Sequence, residues 1–518
     1  MSLPVVRCRW PGAIPVAAFV TGFASIAAEI SASRLIAPYF GSSTFIWASL
    51  IGVTLLFLSI GYWLGGRVAD EHPDARLLYL LIGAAAIAMA LIVPISRPIL
   101  RASLDAFDQR NAGAFLGSLV ATLLLFAPVM LALGMVAPLA IRLRIGSVAD
   151  AGKAAGSLYA LSTAGSILGS FLPVIVLLPL LGTRWTFAIL AIVMAVMSIT
   201  GLLLERQKVR AMAAAAVFIC ALIAMGIGSR GVLKPPYEGT LIAELESDNN
   251  YIQVLQSGDA TLLALNDGHA IHSIYNPNQL ETGGPWDYFT LGPILTGTGQ
   301  PQRALIVGLA GGTAARQLKA AYPEIQIDGV EVDQTIVDVA RKYFALTPDV
   351  ATVHVEDGRY FLETTDQTYD IIALDAYRQP YVPFHLATTE FFQLVAKHLN
   401  PGGVVIINAG RTQTDYRLVD ALSATAATVF PTTAVIDVER YDNSMIFATM
   451  ESVSLESFKV RLQASEPLPF VGDVAKWAVD DGKIRGPSTS GTILTDDKAP
   501  VEWIIDKIIL DEAVREEP

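Results

Sequence analysis

Roughly the first 230 residues of this chain are a succession of apolar runs, and any fold must accommodate them. A bilayer core takes roughly 20 apolar residues per helix. Windows near 13–33, 45–66, 77–96, 114–138, 157–180, 184–204 and 211–228 meet that length, so about seven spanning helices are expected. The first run follows Arg7 and Arg9 and is succeeded by many others, which reads as a signal anchor rather than a cleaved leader. Pro128, Pro138, Pro173 and Pro179 fall inside the runs, where neighbouring helices tolerate the kinks. Gly165 and Gly169, four apart, permit close helix contact. Glu29 and Arg34 lie around the end of the first span. Ionisable groups there are costly and point to function, with an interfacial ion pair as the structural alternative. Gly65-Gly66-Arg67-Val68-Ala69-Asp70 reads as a tight helix-to-loop turn closed by opposite charges.

Composition changes beyond this region. Over all 518 residues 53% are hydrophobic and 16% charged, but the C-terminal half is ordinary in composition and holds most of the acidic charge. A net charge of −12 argues against nucleic-acid binding, which needs a basic face. The two cysteines, Cys8 and Cys220, offer neither a disulfide framework nor a thiolate metal site, and His269 and His272 lack metal-ligand spacing.

Pro235-Pro236 reads as a short stiff linker. Strand-like alternation follows at 240–245, 251–255 and 261–265, separated by turn residues, which predicts a small antiparallel sheet. A helix is expected near 286–297. Strands are then expected at 304–308, 325–330, 352–355, 369–374 and 404–408, and helices at 313–321, 333–343 and 388–399. That alternation implies a parallel doubly wound sheet.

In such sheets ligands sit at the carboxyl ends of the strands. Four successive ends carry Gly308, Glu331, Asp357 and Asp375. Glycines 308, 311 and 312 let a backbone approach a ligand. Glu331, 23 positions after Gly308, is placed to accept from ribose hydroxyls. Asp357 suits an adenine amino group, and Asp375 a sulfonium cation or an amine. The bland alternative is that each acid caps the next helix. Three acids in this order favour a nucleoside, and Gly308-Leu-Ala-Gly-Gly312 departs from the tighter G-x-G-x-x-G of a pyrophosphate binder.

These residues resemble the spermidine synthase (polyamine aminopropyltransferase) family, in particular bacterial members fused to an apolar bundle. The resemblance rests on Ser247–Val254, Gly308–Arg316, Gly329–Asp333, Glu356–Gly358, Tyr369–Asp375, Leu386–Phe392, Leu399–Gly403 and Thr495–Glu502. It continues in Glu29, Arg34, Gly41 and Gly65–Arg67. It implies a small β-sheet followed by a Rossmann-like domain that binds decarboxylated S-adenosylmethionine as co-substrate, without metal, and the departure at Gly311 opens the site to S-adenosylmethionine itself. It implies that Glu331 holds the ribose, Asp357 the adenine and Asn250 the nucleoside. The departures lie at the amine end. Family enzymes have an Asp at the position of Gly311, an acid at that of Arg378, and Tyr-His-Glu where Trp286-Asp287-Tyr288 stands. Asp375, Tyr377 and His385 are the catalytic candidates, with Asp287, Tyr288, Arg378 and Tyr381 around the acceptor.

The expected architecture is an α-helical transmembrane bundle (1–230), a small antiparallel β subdomain (231–285) and a Rossmann-like α/β domain (286–518). Flanking Lys and Arg residues divide ten to seven toward a cytoplasmic N-terminus. Seven spans would then send the soluble half outside. A domain using this nucleoside belongs where the nucleoside is made, so that half is placed in the cytoplasm of a multi-pass bacterial inner-membrane protein. The expected function is group transfer to an amine or lipid-associated acceptor, with the bilayer as partner and a homodimer compatible. A methyltransferase, a nucleoside-cleaving enzyme and a non-catalytic nucleoside-binding transporter or sensor are the alternatives.

Overall fold

The computed structural model describes the chain apart from residues 1–7, 42–43, 109–112, 146–149, 229–230, 248, 267–269, 378–380, 439, 466–469, 481–483 and 516–518. The chain divides into two compact units, Met1–Pro235 and Pro236–Pro518.

The first unit is all helix: α1 (Ala13–Phe40), α2 (Thr44–Glu71), α3 (Ala75–Asp108), α4 (Gly113–Arg144), α5 (Ala151–Leu172), α6 (Leu178–Leu204) and α7 (Lys208–Gly228). A π-helical turn, Pro173–Leu177, joins α5 to α6. Among the described residues six helices are long and apolar enough to cross a membrane. One of them runs 54 residues, Ala151–Leu204, and it breaks at Gly182, whose φ of 74° and ψ of 174° are not helical. That break lies between the spans expected at 157–180 and 184–204. Small residues bring backbones together: a Cβ on Gly165 would sit 2.1 Å from the Phe19 carbonyl oxygen, and one on Gly169 2.4 Å from that of Phe23. The expected turn at Gly65–Asp70 is absent, because α2 continues to Glu71. Gly65 is instead a packing position, where a Cβ would lie 2.6 Å from the Met135 Cα. Arg67 stacks on Trp63 one turn back, at 3.7 Å.

The second unit opens with β1 (Thr240–Glu246), β2 (Tyr251–Ser257), β3 (Ala260–Leu265) and β4 (Ile271–Tyr275), an antiparallel sheet in that order. The fourth strand has no counterpart in the sequence reading. The helix expected at 286–297 is three short pieces: α8 (Pro285–Tyr288), a 3-10 turn (Phe289–Leu291) and α9 (Gly292–Thr296). Pro293 lacks an N–H and sits in the first turn of α9, where none is needed.

The larger sheet alternates β5 (Arg303–Val307), α10 (Thr313–Ala321), β6 (Gln326–Val330), α11 (Gln334–Tyr343), β7 (Thr352–His354), α12 (Gly358–Thr364), β8 (Tyr369–Leu374), α13 (Thr389–Lys397), β9 (Leu399–Gly410) and α14 (Arg417–Ala427). The hairpin β10 (Thr432–Val438) and β11 (Asn443–Thr449) follows, then α15 (Leu455–Ala464), α16 (Val471–Asp480) and α17 (Val501–Arg515). The strand order is β10-β11-β9-β8-β5-β6-β7. Strands β5 to β9 are parallel, and β11 and β10 run antiparallel to them. Helices cover both faces, so β5, β8 and β9 are near-continuous apolar runs. The chain builds outward from β5 to β7, then returns to place β8 on the other side of β5. The strand order therefore reverses between β5 and β8, where a parallel sheet opens a crevice at its carboxyl edge.

Candidate functional site at the carboxyl edge of the sheet

The carboxyl edge borders a cavity of about 810 Å³. Across the sheet, its wall takes Asp357 after β7, Glu331 after β6, Gly308 after β5, Asp375 after β8, and Asn408 and Gly410 at the end of β9. Gly308 has a φ of +90°, and a Cβ there would meet the Asp375 carbonyl oxygen at 2.5 Å. Only glycine lets the turns after β5 and β8 touch in this way.

Glu331 is 7% exposed. It accepts the Ala310 N–H at 3.0 Å and the Asp333 N–H at 3.2 Å. Burial pushes its carboxyl up to about 7, against the pull of those N–H groups. Asp333 caps α11 through the Thr335 N–H, and its other oxygen takes the Asn250 side-chain amide at 2.9 Å and the Ser247 hydroxyl. Asn250 also accepts from Asn266 at 3.0 Å, so its amide is held from both sides while it lines the cavity.

Asp357 both caps a helix and lines the cavity. One oxygen caps α12 through the Arg359 and Tyr360 N–H groups. The other lies 2.8 Å from the His385 Nε2. Burial alone would raise its pKa, but the Tyr360 N–H, the His385 ring and the Arg359 N–H together hold it below the usual carboxylate value. Arg359 is in turn fixed by both oxygens of Asp496, at 2.8 and 2.7 Å.

Asp375 stands at the order reversal. Burial raises its carboxyl to about 7, opposed by the Asn408 amide, which donates at 2.8 Å, and by the Trp286 indole. Such a group exchanges protons near neutrality. Asn443 donates to Asn408 at 2.9 Å and orients its amide. The Tyr377 hydroxyl donates to the Asn408 carbonyl at 2.9 Å and accepts the Gly410 N–H at 2.8 Å. That clamps the turn after β8 to β9 and leaves the hydroxyl engaged at both ends.

Asn250, Gly308, Glu331, Asp357, Asp375, Tyr377 and His385 all line the cavity. Other expected site residues do not. Gly311 faces β4, donating to the Ser273 hydroxyl at 2.8 Å, and a Cβ there would meet the Ser273 Cβ at 2.7 Å. Gly312 begins α10 at a φ of +78° beside Leu346. Asp287 is fully buried and ties down its own loop, accepting from the Thr282 and Gly283 N–H groups and from Gln317. Burial raises its pKa, which those bonds oppose. Tyr288 is core at 2% exposure, and Tyr381 donates to Asp506 of α17. Neighbouring elements take up these three side chains, and none of them lines the cavity. Arg378 lies outside the described residues.

The sequence reading missed Asn408, although it stands at the end of a fifth expected strand and the same strand-end rule points to it. It also missed Arg411, Tyr441 and Asn443 in the wall, which follow no motif. Among the described residues no group of three or more His, Cys, Asp or Glu side chains is placed to hold a metal ion.

Comparison with known proteins finds similarity to one group of proteins. Residues 293–460 match the family model for the spermine/spermidine synthase domain. A probable polyamine aminopropyl transferase of Bifidobacterium longum is 37% identical over 297 residues, covering 54% of this chain and 66% of that protein. A polyamine aminopropyltransferase of Vibrio vulnificus is 38% identical over 135 residues, covering 25% of this chain and 44% of that protein. The chain thus spans less than two thirds of the length of these curated relatives. A crystal structure of a probable spermidine synthase from Corynebacterium glutamicum aligns at a TM-score of 0.39 and 20% identity, over 49% of this chain and 96% of that one. Residues 293–460 of this chain thus carry a spermine/spermidine synthase domain.

Proposed function

We propose that the C-terminal unit is an alkyltransferase, which binds a sulfonium derivative of adenosine along the strand ends and passes its alkyl group to an amine. The observation that carries this reading is the order of carboxylates on one cavity wall: Asp357, Glu331 and Asp375, from the outer strand to the reversal point. Strands are spaced by about 4.8 Å. A nucleoside laid across β7, β6 and β5 puts its base at Asp357 and its ribose at Glu331. Its sulfonium then falls between β5 and β8, beside Asp375.

The sulfonium donor is decarboxylated S-adenosylmethionine or S-adenosylmethionine, and the reaction needs little beyond positioning. The acceptor nitrogen forms a bond to the carbon next to sulfur as the carbon–sulfur bond breaks. The sulfur keeps that electron pair and leaves as neutral methylthioadenosine. The proton shed by the amine goes to the Asp375 carboxylate, whose pKa near 7 lets it accept at neutral pH and release to water. Before the reaction, the same carboxylate stabilises the cationic donor. The apolar helices support a bilayer-bound protein, and the cytoplasmic supply of the nucleoside favours placing this unit inside.

The test incubates the purified protein with each donor and a panel of amines, followed by mass spectrometry. Methylthioadenosine together with an alkylated amine is the expected result. S-adenosylhomocysteine instead would replace propyl transfer by methyl transfer, and no heat of binding for either donor would end the nucleoside reading.

A further inference from the structure

Arg411 follows β9 at the end of the cavity away from Asp357, and its side chain is only 5% exposed. Its Nη1 donates to the Thr412 carbonyl at 3.0 Å and its Nη2 to the Val438 carbonyl at 3.2 Å. Its Nε, shielded from solvent, has no hydrogen-bond partner among the described residues. Among the described residues it pairs with Asp442, at 3.9 Å and 62% exposed, a separation and exposure that give little compensation for a buried cation. The guanidinium lies 5.2 Å from the centre of the Tyr416 ring, and Arg485, paired with Asp437 at 3.5 Å, lies 5.1 Å from the same ring. The wall of a cavity otherwise rich in carboxylates therefore carries a nearly buried guanidinium whose N–H groups are only partly used.

We propose that Arg411 anchors a carboxylate on the substrate at this end of the cavity. The inference rests on the reading of the strand ends as a sulfonium nucleoside site, and it names what lies beyond that nucleoside. β9 is two strand spacings past β5, roughly 10 Å. That is beyond the sulfur and in the region of the acceptor. Asp375 and Asp442 attract an ammonium there, and Arg411 an adjacent carboxylate. The chemistry fitted is a zwitterion with amine and carboxylate on one small molecule, rather than a simple diamine. The carboxylate of an intact S-adenosylmethionine tail is the other source of the same group.

Calorimetry on the full-length protein in detergent uses two matched pairs that differ by one carboxylate. Ornithine and putrescine, each with saturating methylthioadenosine, probe the acceptor. S-adenosylmethionine and its decarboxylated form probe the donor. In at least one pair the carboxylated member should bind about tenfold or more tightly, as a charge-assisted hydrogen bond to a buried guanidinium implies. Preference in the first pair puts the group on the acceptor, and preference in the second puts it on the donor. Arg411→Gln should erase the preference and Arg411→Lys should keep part of it. Asp442→Asn, which removes the competing charge, should enlarge it. A purely structural Arg411 would weaken both members of each pair equally and leave their ratio unchanged. No preference in either pair, or one that survives Arg411→Gln, overturns the proposal. Methylthioadenosine titrated alone tests the nucleoside site separately, and absence of heat there defeats the underlying reading rather than this one.

Discussion

Replacing Glu331 by Gln tests the ribose assignment and its electrostatics in one experiment. The carboxylate already accepts two backbone N–H groups, from Ala310 and Asp333, one on each oxygen. A glutamine keeps one acceptor and turns an NH₂ toward the other N–H, so the glycine turn loses one anchor. It also loses the charge that would receive the ribose hydroxyls. Hydrogen bonds to a charged acceptor contribute about 1.5–3 kcal/mol each, so losing one should weaken nucleoside binding by roughly 10- to 150-fold, and losing two by more. The pH dependence sharpens the test. With the folded pKa at about 7, the wild-type group is mostly protonated one unit below that value and mostly ionised one unit above it. The advantage of wild type over Glu331→Gln should therefore grow about tenfold per unit as pH rises toward 7, then level off. Calorimetry with methylthioadenosine from about pH 5.5 to 8.5 measures this cleanly, because the thioether is neutral and Asp375 has no cation to meet. Equal affinity of the two proteins at pH 8, or a gap that does not change with pH, would refute the argument.

Three further outcomes follow from the same geometry. Asp375→Asn should abolish transfer while keeping methylthioadenosine affinity within about threefold, since the carboxylate is asked to act on charge and proton rather than on base or ribose. Asn408→Leu removes the amide that stabilises ionised Asp375, so the acidic limb of the kcat/KM profile should move upward by about one pH unit, whereas an unchanged limb would exclude Asp375 as the base. Glu331 and Asp375 both have folded pKa values above their unfolded ones. The stability they contribute is fully present below about pH 4 and is lost as pH rises toward 7. Neutralising either should therefore stabilise the ligand-free protein at pH 8 by about 0.5–2 kcal/mol, seen as a higher Tm.

Much of the soluble fold was legible because its strands are buried on both faces and its helices present one apolar face. The strand at Tyr369–Leu374 and the helix at Thr313–Ala321 fall where periodicity places them. β4 escaped because it is only five residues long and owes its place to tertiary bonds. Thr313 bridges the Ile274 N–H and carbonyl, and Ser273 receives the Gly311 N–H. The β10–β11 hairpin escaped for a different reason. Its strands are buried in the finished sheet, and its order, with the last strand inserted next to β9, leaves no local trace. In the helical unit, Gly65 and Gly66 looked like a turn because glycine is permissive. The backbone uses Gly65 instead for close approach to Met135, a fact held by the neighbouring helix rather than by the segment itself.

The site divides along the same line. The half proposed for the nucleoside was readable because each of its side chains comes from the residue that ends a strand, and strand ends can be counted in sequence. Glu331, Asp357 and Asp375 follow that rule, and so does Asn408, the end that was not counted. The acceptor half is assembled differently. Trp286 comes from a short helix before the sheet, Tyr377 is turned back onto β9, and Arg411 and Asn443 come from the turn after β9 and the start of β11. Their meeting depends on an antiparallel hairpin added to a parallel sheet. Sequence spacing therefore carries no information about which of them touch. This is also why Asp287 and Tyr288, next in sequence to a cavity residue, end up in the core instead. If donor binding is fixed by the strand-end rule and acceptor choice by the appended hairpin, exchanging the β9–β11 connection between relatives should change the acceptor while leaving methylthioadenosine affinity in place. A loss of both together would mean that the two halves of the cavity form one cooperative site.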